Sequence, residues 1–346
     1  MSFNDLDKQE EIKMSPEEEK KHKSFFSKIC FSLVVYIVLT QCLGVLADYI
    51  LNSINPELAE SQNVWLIIST AIQYLIGFPA LYLILKPMPK SAPVKAKLTG
   101  KEFFKVASIS VFLMYVGNYV SLILMEAIES RFGALPENGV ATILSDNDYI
   151  ISIFLVGIIG PIVEEIIFRK LLIDRIRPYG EKIAVFFPAL IFGLVHGSLY
   201  QFFYAFLIGT VLSYIYVKTG KIIYSTIIHC LINLVFGVLT SYISSLIDLE
   251  QLLEFALVGS IPEEYIAENL IPLSLYGIYT VIFYVFFFAG LVNFNRQIYR
   301  IRFKKGEVLF PKGKTLEVLT FNAGAIILIS ICIAMMALNT FSFALT

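Results

Sequence analysis

The sequence predicts an all-α polytopic membrane protein, and three observations predict it. Of 346 residues, 57% are hydrophobic and only 16% are charged, against about 25% charged in a soluble domain. Nine apolar stretches approach the roughly 20 residues that a helix needs to cross a bilayer. Lys and Arg collect in alternate gaps between those stretches, as the positive-inside rule requires. Together these exclude a cytosolic enzyme, a nucleic-acid binder and a disordered scaffold.

In chain order the stretches are 29–50, 64–85, 106–125, 149–173, 183–199, 200–217, 222–247, 271–294 and 319–345. The fifth and sixth form one apolar run divided around Gly197 to Gln201. About nine spans are therefore expected, with eight plus a re-entrant or tilted piece as the alternative. The gaps at 8–28, 86–105, 169–182, 218–221 and 296–314 hold 26 of the 27 Lys and Arg residues, and the others hold only Arg131. This places the N-terminus in the cytoplasm and, with nine spans, the C-terminus outside. The first 28 residues carry no apolar h-region, so the first span reads as a signal anchor rather than a cleavable signal peptide.

The expected organisation is a charged tail at 1–28, membrane helices one to three within 29–148, and a core of helices four to seven within 149–247. An outer loop at 248–270 and C-terminal membrane helices within 271–346 complete it. The loop holds Glu250, Glu254, Glu263, Glu264 and Glu268 among apolar residues and reads as a solvated segment or a short helix on the outer surface. The net charge of −1 gives no sign of a polyanionic partner. Cys30, Cys42, Cys230 and Cys332 fall in or beside apolar runs without a metal-clip spacing, so they do not reveal a redox compartment.

A charged residue at the centre of a membrane helix costs about 2.5–3.5 kcal/mol on insertion scales, so ionisable groups at depth are functional candidates. This chain places Glu164, Glu165, His196 and His229 within apolar runs. Successive helix residues are about 100° apart, so the two glutamates face differently, while Glu165 and Arg169 at i,i+4 share a face. Glu165 with Arg169 reads as a neutralising pair, and Glu164 is left to face other helices. Gly157, Gly160 and Pro161 remove bulk and loosen the backbone just before it. His196 has glycines at i−3 and i+1, and His229 shares a face with Asn233 at i,i+4 and Ser225 on the preceding turn.

One free carboxylate, two imidazoles and a carboxamide suit water activation in either of two ways. Glu164, His196 and His229 could bind a metal such as zinc, leaving a position open for water. Alternatively, Glu164 with His196 acts as general base while His229 and Asn233 donate hydrogen bonds to a tetrahedral oxyanion. There is no contiguous H-E-x-x-H motif, so any metal would have to bridge separate helices. Singly, a membrane Glu-Glu is a packing or ion-pathway feature and a membrane histidine an interhelical hydrogen bonder. The chemical reading rests on their conjunction.

Glu-Glu-x-x-x-Arg at 164–169, Phe-x-x-x-His at 192–196 and His-x-x-x-Asn at 229–233, in that order, resemble the CAAX protease and bacteriocin-processing (Abi) family of intramembrane endopeptidases. The resemblance covers about a quarter of the chain, from Gly157 to Thr240. It implies a glutamate- or metal-dependent peptidase cutting membrane-associated peptides or proteins. Under it, Glu164 and His196 activate water, His229 and Asn233 bind the oxyanion or complete a metal site, and Glu165 with Arg169 is structural or substrate-orienting. The family's eukaryotic members trim prenylated CAAX proteins, and its bacterial members are linked to bacteriocin immunity, pheromone processing and surface-protein display. A bacterial plasma membrane is expected here. The C-terminal Phe343-Ala344-Leu345-Thr346 carries no CAAX cysteine. A non-catalytic scaffold or immunity protein that binds a peptide or partner helix in the same cavity is the alternative, and an ion-coupled transporter the third.

Overall fold

A computed structural model describes residues 14–133, 138, 142–144 and 148–341. The first 13 residues of the charged tail and the last five residues of the chain lie outside the described residues. The helices of six residues or more are α1 (Pro16–Ile54), α2 (Gln62–Leu85), α3 (Gly100–Phe132), α4 (Tyr149–Tyr179), α5 (Glu181–Val195), α6 (Leu199–Thr219), α7 (Ile222–Ser245), α8 (Leu249–Val258), α9 (Glu263–Glu268), α10 (Leu270–Ile298), α11 (Lys314–Thr320) and α12 (Ala323–Phe341). No strand occurs among the described residues. All but α5, α8, α9 and α11 are long and apolar enough to cross a membrane, eight helices in all. The chain is a multi-pass, all-α membrane protein.

The eight-span alternative matches this count. The segment expected as a fifth span is α5, of 15 residues, about 22 Å at 1.5 Å per residue, shorter than the other spans, although it runs antiparallel to α6 from the same face. It stops because Gly197, at φ +59°, turns the chain into a left-handed conformation that other residues rarely adopt. Ser198 is then extended at φ −132° and ψ 130° before α6 begins. Helix α6 returns beside α5, and Lys218 pairs with Glu181 at the open end of this hairpin.

The same face of the bundle gathers every basic segment described. His22 Nδ1 meets the Tyr179 hydroxyl at 3.0 Å, and Lys23 donates to Glu317 at 2.8 Å. Ser91 N–H donates to the Asp174 carbonyl and Ala96 N–H to that of Thr219. Lys218 donates to the Arg302 carbonyl, and Glu181 accepts from the Lys304 N–H. Charge alternation in the sequence is thereby expressed as one tied surface. Around it sits the main core, where Phe26 and Leu33 of α1, Leu85 of α2, Leu172 and Ile176 of α4, and Val185 of α5 are almost fully buried.

Both long entry helices start on capping boxes. Ser15 and Thr99 each accept the backbone N–H three residues on, and Glu18 and Glu102 return a bond to the cap, satisfying donors that a helix start otherwise leaves open. Residues 248–270 form the short helices α8 and α9 rather than a wholly irregular loop.

Candidate active site

Three helices bring the site together. In α4, π-helical turns at Ile153–Ile159 and Ile166–Ile173 flank one α-helical segment, Gly160–Glu165. Such π-turns are frequent at functional sites. Here they have a local cause. Within the first π-turn the Gly160 N–H bonds to Leu155, so the Val156 carbonyl would look to residue 161, and Pro161 has no N–H to give. Asn233 Nδ2 fills the gap, donating to the Val156 carbonyl at 3.0 Å.

Glu165 and Arg169 are both fully buried, 3.0 Å apart. His229 Nδ1 lies 3.1 Å from the same Glu165 oxygen, and its Nε2 lies 3.6 Å from Glu164. His229 thus bridges the two carboxylates, the deeper one buried and paired, the other 29% exposed. The imidazole is oriented from behind, because a carboxylate can only accept and Nδ1 must carry the proton. His196 is fixed in the same way: Nδ1 lies 2.6 Å from the Phe192 carbonyl. Each ring then offers Nε2 as its free edge. Phe192 packs edge-on against both histidines and lies 5.0 Å from the Arg169 guanidinium.

The Glu165–Arg169 contact is a charge pair rather than an aligned hydrogen bond. Glu165 Oε2 and the Arg169 Nε, Nη1 and Nη2 atoms are buried without a hydrogen-bond partner in the protein. Buried ions cost several kcal/mol each, and cation–π contact with Phe192 offsets about 2 kcal/mol of that. Apolar side chains would pack this position more cheaply, so its chemistry is retained at a cost.

Glu164, His196, His229 and Asn233 all line one cavity of about 1240 Å³. The structure therefore brings the four candidates to one chamber. It sets His229, rather than His196, in contact distance of Glu164. The cavity also contains residues the sequence reading did not single out: Gln73 and Tyr74 of α2, Asn118 of α3, and Gln201 and Tyr204 of α6. Gln73 and Asn118 carried a signal, being amides inside otherwise apolar helices. Among the described residues no three His, Cys, Asp or Glu side chains form a group that could hold a metal ion. Glu164, His196 and His229 supply suitable donor atoms for zinc, but as placed they share a wall rather than a coordination centre.

The model of the Type II CAAX prenyl endopeptidase Rce1-like family matches residues 146–235. That segment contains Glu164, Glu165, Arg169, His196, His229 and Asn233. The chain is 27% identical over 138 residues to UPF0177 protein YxdF of Lactococcus lactis subsp. lactis (strain IL1403), covering 40% of this chain and 76% of that protein. It is 26% identical over 186 residues to the Bacillus subtilis (strain 168) protein named "Putative membrane peptidase YdiL", covering 52% of this chain and 72% of that protein. No solved structure matches the chain.

Proposed function

We propose that this multi-pass membrane protein, with its Rce1-like segment, is an intramembrane endopeptidase that hydrolyses peptide bonds of membrane-associated peptides or proteins. One observation carries the reading. A carboxylate, Glu164, faces a large cavity within the membrane and is backed by a histidine that a buried ion pair holds in place. The family match and the peptidase name of one relative support the same class of activity.

The reaction needs a base for water, donors for the oxyanion and an acid for the leaving amine. Glu164 accepts a proton from a water whose oxygen attacks the scissile carbonyl carbon. His196, with Nε2 free, accepts a hydrogen bond from the same water and aligns it. His229, held by Glu165, packs beside Glu164 and fixes its place on the cavity wall, and the second N–H of Asn233 is available to the oxyanion. As the tetrahedral species collapses, the C–N bond breaks and Glu164 returns the proton to the departing amine, leaving a carboxylic acid and an amine. General-base groups of this kind contribute about 10²–10⁴-fold, and an oxyanion donor about 10²–10³-fold.

The test compares membrane and secreted peptides from cells carrying the wild-type chain or Glu164→Gln. Loss of specific cleavage products at unchanged protein abundance supports the reading, and identical peptide sets contradict it. Metal content is measured separately, by elemental analysis of the purified protein.

A further inference from the structure

The cavity is directional, and its direction bears on what reaches Glu164. Along α7 its wall runs from His229 to Ser245, the last residue of the helix, about 24 Å at 1.5 Å per residue. Along α4 it includes Leu155, Val156, Gly160 and Glu164 and nothing C-terminal to Glu164. Past Glu164 toward the basic face the same helix is solid: Ile167, Phe168, Leu172, Ile173 and Ile176 are at most 4% exposed. On α2 the lining residues, Leu66 to Tyr74, stop at the middle of the helix that begins at Gln62, away from the basic segment 86–105. The chamber is therefore closed toward the basic face and extends to the opposite one.

Its lining is also selective. Among the described residues Glu164 is the sole carboxylate on the wall, and no Lys or Arg lies there. Besides the His196 and His229 imidazoles, the other polar groups are amides and hydroxyls, such as Gln73, Asn118, Gln201 and Ser241. An acidic side chain entering it would leave water without meeting a Lys or Arg, and a basic one would find only Glu164 and would tie up that carboxylate, whereas an extended backbone finds donors and acceptors on several sides. The volume, about 1240 Å³, exceeds the roughly 300–1,000 Å³ of a small-molecule pocket, which favours a stretch of chain over a metabolite.

We infer that substrate and water enter from the face opposite the basic segments, the non-cytoplasmic face by the positive-inside rule, and that the occupant is an uncharged, extended peptide segment. This rests on the peptidase reading for what happens to that segment, but not for how it arrives. Substrates are then exported peptides or outward-lying parts of membrane proteins, and the new termini are released on that side.

Single-cysteine variants test the direction. Cys30, Cys42, Cys230 and Cys332 are replaced by Ala, and Asn118→Cys and Ser241→Cys are introduced one at a time, with Lys97→Cys on the basic face as control. A membrane-impermeant sulfonated maleimide is applied to spheroplasts and to inverted vesicles. The expected result is labelling at 118 and 241 in spheroplasts only, and at 97 in inverted vesicles only. Labelling of the cavity positions only in inverted vesicles, or from neither side while the control reacts, overturns the inference. Thr70→Cys and Ser244→Cys serve if either first variant fails to reach the membrane. Labelling does not depend on cleavage. A chain labelled from the outer face that cuts nothing would sink the peptidase reading alone, and one that cuts but labels only in inverted vesicles would sink this inference alone.

Discussion

Glu164 and Glu165 are adjacent in sequence and opposite in circumstance. Glu165 is buried against Arg169 and His229, while Glu164 reaches the cavity. Glu164→Gln keeps the shape and removes the base, so activity is expected to fall by about 10²–10⁴-fold with unchanged abundance in membranes. Glu165→Leu leaves Arg169 an unpaired buried cation, which typically destabilises by about 3–5 kcal/mol. A lower melting temperature in detergent and reduced abundance are the expected readouts. The double variant Glu165→Leu/Arg169→Met removes both charges and is expected to recover abundance but not activity, since His229 loses the group that orients it. Recovery of activity as well would show that the pair has no part in positioning. The i,i+4 geometry made this pair legible in the sequence. The contact of His229 with both glutamates was not, because residues more than 60 positions apart meet only through the angle at which α7 crosses α4.

At the level of elements, the irregularities in α4 and α7 shape the chamber. Pro161 strips the Val156 carbonyl of its helical donor, and Asn233 from α7 replaces it. Asn233→Leu is expected to destabilise by about 1 kcal/mol, the net worth of a part-buried hydrogen bond. Adding Pro161→Ala, which restores a backbone N–H, should recover most of the melting temperature. No recovery would mean that the amide acts elsewhere. Helix α6 seats Tyr204 in the cavity wall through close backbone approach to α3: a Cβ on Gly117 would lie 2.5 Å from the Tyr204 Cα. Gly117→Val is expected to cost at least the roughly 1–3 kcal/mol of overpacking. The sequence disclosed most spans through apolar length and the basic gaps. It left α5 ambiguous because a 15-residue helix, a turn and α6 read as one apolar run, and only the conformation at Gly197 separates them. The Ser15 and Glu18 capping box fits the S-x-x-E pattern of helix starts, but the sequence reading did not single it out within the charged tail, whereas the π-turns have no sequence pattern of their own beyond Gly160-Pro161.

Over the whole molecule, charge is sorted by face. The basic segments form one tied surface, and the cavity extends to the other. Lys23 and Lys314 hold the Glu317 carboxyl down to about 2, below the ordinary carboxylate range. A depressed acid stabilises the fold above its unfolded pKa and loses that contribution as pH falls through the folded one. The stability difference between wild type and Glu317→Gln should therefore be flat from about pH 5 to 8 and disappear toward pH 2, followed by thermal unfolding in detergent. Any change in activity between pH 5 and 8 then has another origin than this clamp. The central claim, that the polar cluster at the end of the cavity cuts peptide bonds, is tested most directly by comparing the membrane and secreted peptides of cells carrying wild type and Glu164→Gln at matched abundance. The account predicts that a defined set of cleavage products disappears in the variant. Products of the same identity and amount in both strains would contradict it.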